Sequence, residues 1–164
     1  MHKTVLFVKA NDEVADHLQK AVAAHASTLA QAHGLPSIFV VLRRFQSTSR
    51  PQEVASQALM SIDPLYVRHL NPAAFKAPYE AIGLEESKAQ ALLWMVQGVA
   101  SESPGFSDGE AARIVLDEFY SWVGTSVSSF VNQLPLFKIA GIKDRGLALV
   151  GSNRIAMLWF LGAE

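Results

Sequence analysis

A chain of 164 residues and 17.8 kDa fits one domain, 1–164, long enough to bury roughly two thirds of the surface that its unfolded form exposes. With no cysteine, disulfides, thiol catalysis and thiolate metal sites are excluded, and a net charge of −1 gives no bulk-charge support for nucleic-acid binding. Half of the residues are hydrophobic and only 18% are charged, against about 25% in a typical domain, so apolar surface must be hidden in a core or against a homo-oligomeric or other protein partner.

The chain opens with what reads as a βαβ unit. Thr4 to Val8 and Ile38 to Leu42 are short β-branched and aromatic runs. Between them Asn11 and Asp12 stand where a helix is capped, and Val14, Leu18, Val22, His25 and Leu29 recur at helical spacing until Gly34-Leu35-Pro36 stops the pattern. This spacing predicts a helix over 12–33 and, through a right-handed crossover, two parallel strands. His25 falls on the apolar stripe, where a partly buried, hydrogen-bonded histidine is expected; no partner at i+4 supports metal ligation.

Next comes the polar and basic stretch Arg43-Arg44-Phe45-Gln46-Ser47-Thr48-Ser49-Arg50, then a helix over 51–62 with Pro51 in its first turn and Ser49 and Gln52 at capping-box spacing. Asp63-Pro64, Asn71-Pro72 and Pro78 break residues 63–83 into short helical turns. Residues 84–100 are apolar on nearly all sides, with Leu92, Leu93, Trp94, Met95 and Val96 in succession, which marks a helix that is buried or lies in an interface. A further helix is predicted from Ser107, capped with Glu110, to about Gln133, bending near Gly124. The end of the chain reads as a β-meander over 136–142, 147–150 and 155–161, with hairpin turns at 143–146 and 151–153. The last run does not alternate, which places it inside the sheet with both faces covered. The expected fold is a mixed α/β sheet of about five strands, the first two parallel, with several helices.

Catalytic motifs are incomplete. Gly105-Phe106-Ser107-Asp108-Gly109 matches the G-x-S-x-G nucleophile elbow, but no strand precedes it and every histidine lies at or before His69, so no downstream base follows the serine. The helix-cap reading accounts for these residues better. Neither G-x-G-x-x-G, a P-loop, C-x-x-C nor H-E-x-x-H occurs, so no cofactor or metal is implied.

One constellation carries chemistry. If the first two strands are parallel, their C-terminal ends share an edge that gathers Lys9, Asn11, Arg43 or Arg44, Ser47, Thr48, Ser49 and Arg50 beside a helix N-terminus, a setting for a phosphate or carboxylate. Adjacent Arg43 and Arg44 point to opposite faces of a strand, so only one serves that site. A single aromatic, Phe45, among these arginines makes a poor platform for single-stranded RNA.

Nothing reads as a signal peptide or a membrane span, and a soluble cytoplasmic protein is expected. The leading functional expectation is a non-enzymatic, self-associating assembly subunit, such as a component of a viral or other multi-protein particle. The alternative is a small enzyme or binding protein that recognises a phosphorylated or carboxylated molecule at the basic edge.

Overall fold

In the computed structural model, which describes residues 4–63, 66, 68–71, 79–100, 108–132 and 135–163, the most apolar run of the chain has become the centre of a sheet. Among the described residues eight strands form: β1 (Leu6–Lys9), β2 (Thr28–Leu29), β3 (Leu35–Pro36), β4 (Ile38–Gln46), β5 (Tyr79–Ile82), β6 (Ser128–Asn132), β7 (Ile142–Val150) and β8 (Arg154–Ala163). Six of them make one sheet in the order β1-β4-β8-β7-β6-β5, every neighbouring pair antiparallel, while β2 and β3 form a separate hairpin. The architecture is mixed α and β, as the composition of elements implies. The four α-helices among the described residues are α1 (Glu13–Ala23), α2 (Pro51–Ala58), α3 (Leu84–Gln97) and α4 (Gly109–Val123).

Strand β8 lies between β4 and β7, and alternate residues feed two cores. Ile155, Met157, Trp159 and Leu161 pack on one side with Val54, Ala55 and Ala58 of α2. Ala156, Leu158 and Phe160 pack on the other with Leu18 of α1, Met95 of α3 and Phe119 of α4. A strand covered on both faces needs no polar alternation, and its sequence has none.

Three expectations about the course of the chain through the sheet are corrected. The first two strands of the main sheet, β1 and β4, are antiparallel neighbours, with Lys9 opposite Arg43 and Leu6 opposite Gln46. Helix α1 stops at Ala23 and residues 28–36 fold into the β2–β3 hairpin. The chain therefore re-enters the sheet from the C-terminal end of β1 and does not cross back to its start, so no βαβ unit forms. The second correction concerns the meander, which is present as β6-β7-β8 but begins at Ser128, inside the expected helix, and not at Leu136. Gly124, at φ 106°, ends α4 instead of bending it, since a positive φ suits glycine and terminates a helix. The third is the expected turn at 143–146, which lies within β7, where Asp144 is buried; the other turn, at 151–153, forms, and the Gly151 N–H donates to the Arg154 carbonyl at 2.9 Å. Strand β5 was not anticipated.

Helix ends follow local chemistry. Asp12 caps α1 by accepting from the Ala15 N–H at 2.9 Å, and Asp108 caps α4 by accepting from the Glu110 N–H at 2.9 Å. Ser107 lies outside the described residues. At α2 the capping box does not form: Arg50 is the cap residue and its side chain makes no cap bond, the Ser49 N–H donates to Ser47 Oγ at 2.9 Å, and Gln52 Nε2 donates to the Tyr79 carbonyl at 2.8 Å. Helix α3 starts after Gly83 without a side-chain cap and is tied to α4 by a hydrogen bond between the Ser87 and Tyr120 hydroxyls. No helix among the described residues is long and apolar enough to cross a membrane.

Candidate functional site

Because β1 and β4 are antiparallel, the expected basic edge divides into three places. Lys9 and Arg43 are cross-strand partners and share the face on which α2 packs. Arg44 projects to the opposite face, as adjacent strand residues must. Ser47, Thr48, Ser49 and Arg50 lie past the far end of β4, since Leu6, at the start of β1, is opposite Gln46. Ser47, Thr48 and Ser49 border a shallow depression of about 270 Å³ with Ser126 and Ser152. Asn11 is exposed, next to the cap residue of α1.

At the first place, the Arg43 guanidinium is half-buried and donates to the carbonyls of Leu42 at 3.0 Å and Ser61 at 2.9 Å. Burial pulls its pKa below the ordinary arginine value, because desolvation disfavours the charged form. Among the described residues neither Arg43 nor its neighbour Lys9 has an ion pair with a carboxylate. The two cations border a groove of about 470 Å³ that runs along β4 toward the β2–β3 hairpin, with Asp63 and Tyr66 on the same rim and Val22 of α1 as part of its wall. Burial, and then the charge of Asp63, raises the Tyr66 pKa.

Arg44 occupies a neutralised setting. Its Nη2 is 3.1 Å from Asp12 Oδ2, and Trp122 Nε1 donates to both Asp12 oxygens at 3.2 Å. Arg154, opposite Arg44 in the sheet, donates to the Trp122 carbonyl at 2.8 Å and stands 5.2 Å from the centre of the Trp122 ring. Burial pushes the Asp12 carboxyl upward, but the Ala15 N–H, Trp122, Arg44 and the charge of Arg154 together hold it below its usual value.

Beyond this cluster the same face is open. Leu6 and Val8 of β1 are 77% and 65% exposed, and with Thr4, Gln46 and Asn153 they line a depression of about 560 Å³ whose wall includes Arg44. Among the described residues β1 is an edge strand, with β4 as its one strand neighbour. The expected interface helix is only partly available: Met95 is buried and Leu92 and Trp94 pack against the core, Trp94 against Phe160 with ring centres 5.7 Å apart, whereas Leu93 and Val96 are 49% and 39% exposed. They border a second shallow apolar depression beside Gly109. Phe45 is buried, so the arginine stretch presents no stacking platform for RNA.

Sequence reasoning missed the polar centre of the sheet. Asp144 Oδ1 accepts from the Leu136 N–H at 2.8 Å and from Asn132 Nδ2 at 3.1 Å, its Oδ2 accepts from the Phe137 N–H at 3.2 Å, and Asn132 Oδ1 accepts from the Gly146 N–H at 2.9 Å. Burial raises the Asp144 pKa and the two backbone donors partly offset it. These bonds anchor the chain between β6 and β7, a structural use of a buried carboxylate. An aspartate inside an otherwise turn-like Lys-Asp-Arg-Gly stretch gave no signal of this.

Compared with known proteins, the chain matches no family model, no curated protein and no solved structure.

Proposed function

We propose that the protein is a non-enzymatic interaction subunit that self-associates, as a component of a larger assembly such as a viral or other multi-protein particle. The observation that carries this reading is the pair of exposed apolar side chains, Leu6 and Val8, on an edge strand whose outer side has no strand partner among the described residues. Such an edge is a template for another chain, and an apolar centre rimmed by arginine and polar residues is the composition of an interface. Leu93 and Val96 add a second exposed apolar patch on α3. Size-exclusion chromatography with light scattering tests the reading: a defined oligomer that dissociates on dilution is expected, and a monomer at every concentration contradicts it.

A second reading is favoured by one specific observation, the Lys9–Arg43 pair beside its groove, which makes no ion pair with a carboxylate among the described residues. It holds the carboxylate or phosphate of a small molecule, by charge-assisted hydrogen bonds. The expected result is a rise in melting temperature with phosphate or acetate that is lost in Lys9→Gln; no shift with either anion contradicts it.

A further inference from the structure

We propose that the groove beside Lys9 and Arg43 docks an extended acidic peptide, which adds to the sheet along the part of β4 that β1 leaves uncovered. The proposal rests on the second reading above, and identifies the carboxylate that the two cations receive as a side chain of that peptide.

The backbone provides the first argument. Strand β1 ends at Lys9, opposite Arg43, and the Ala10 N–H reaches back to the Leu42 carbonyl at 3.1 Å. On its other side β4 bonds to β8 through odd-numbered residues, since the Ser37 carbonyl accepts from the Leu161 N–H and the Phe45 N–H donates to the Asn153 carbonyl. The alternation of an antiparallel strand then turns the N–H and C=O of Val40 toward the groove. No strand lies opposite Ile38 to Val41 on that side among the described residues. The open segment is four residues long, about 13 Å at strand rise, room for a short added strand.

Charge and pattern give the second argument. Lys9, Arg43 and Asp63 border the groove, two cations against one carboxylate. An added strand continues the line of β1, with alternate side chains on the two faces. On one face they meet Arg43, Lys9 and Tyr66; on the other they meet Val22 of α1 and the side chains of Ile38 and Val40. The matching segment alternates acidic and β-branched residues, and strand addition of this kind takes affinity from the backbone and selectivity from the alternate side chains.

The test is nuclear magnetic resonance on the ¹⁵N-labelled full chain, titrated with acetyl-(Glu-Val)₃-amide, acetyl-(Gln-Val)₃-amide and sodium acetate. The glutamate peptide is expected to move the Val40 amide signal and slow its hydrogen exchange. The glutamine peptide is expected to bind about tenfold more weakly, the size of one charge-assisted hydrogen bond, and Lys9→Gln to bring the two peptides level. Lys9 is exposed, so this variant keeps the fold. A Val40 amide unmoved by millimolar glutamate peptide overturns the proposal, as does equal binding of the two peptides to the unmodified chain. Acetate shifts around Arg43 without any peptide response at Val40 overturn the docked strand and leave the small-anion reading standing. No response to any of the three ligands overturns both.

Discussion

Arg43 and Arg44 are adjacent in the chain and opposite in circumstance. Arg44 faces Asp12, which also caps α1 and accepts from Trp122, while Arg154 across the sheet rests on the same indole. Arg43 donates to two carbonyl oxygens, has no carboxylate partner among the described residues, and shares its side of the sheet with Lys9. Two like charges placed opposite each other destabilise a strand pair unless something neutralises them. On one face the protein supplies that neutraliser from its own helix cap, and on the other the described residues supply none. The first arrangement is architecture, and the second has room for a ligand.

The largest expected effect comes from breaking the neutralised side. Asp12→Ala removes the cap of α1 and the carboxylate shared by Arg44 and Trp122, and is expected to cost about 1–2 kcal/mol in chemical denaturation, the scale of a lost N-cap. Arg43→Met keeps the apolar stem but takes the guanidinium donor from the Ser61 carbonyl, while the Leu42 carbonyl keeps the Ala10 N–H; about 1 kcal/mol of destabilisation is expected, together with loss of any anion-induced rise in melting temperature. Lys9→Gln relieves the like-charge pair and is expected to stabilise by about 0.2–1 kcal/mol, an effect that added salt diminishes. The smallest effect is in acid. Because the folded Asp12 carboxyl lies below its usual value, its contribution is present above the unfolded pKa of about 3.9 and is lost as the pH falls toward the folded value. An acid titration of stability in Asp12→Asn is therefore expected to be flatter below about pH 4 than that of the unmodified chain.

Much of the fold was legible in the sequence, because strong patterns have few solutions. The unbroken apolar run from Ile155 to Leu161 announced a strand covered on both faces, and β8 is that strand. Gly151-Ser152-Asn153 announced a hairpin, and its glycine has a further reason to be there: a Cβ on Gly151 would stand 2.5 Å from the Val123 carbonyl oxygen. Ambiguity won where two periods overlap. Val127 and Phe130 satisfy helical spacing, yet once Gly124 stops α4 the segment from Ser128 pairs as β6, with Phe130 in one core and Val131 against the other. The direction of β1 relative to β4 depended on where helix α1 stopped, and alanines at 23, 24 and 26 gave no sign of it. That error displaced the candidate site: Lys9 and Arg43 came together as register partners, while Ser47, Ser49 and Arg50 went to the other end. The opposed faces of Arg43 and Arg44 were legible from period two alone. The exposure of Leu6 and Val8 was not, since a β-branched and aromatic run reads the same at an edge as in a core.

The central claim, that the β1 edge joins one copy of the protein to another, is tested most directly by sedimentation velocity on the unmodified chain beside Leu6→Lys/Val8→Lys, both over a hundredfold range of concentration. A concentration-dependent oligomer is expected for the first and a folded monomer, with unchanged circular dichroism, for the second. Identical sedimentation of the two proteins, whether both are monomers or both are oligomers, would contradict it.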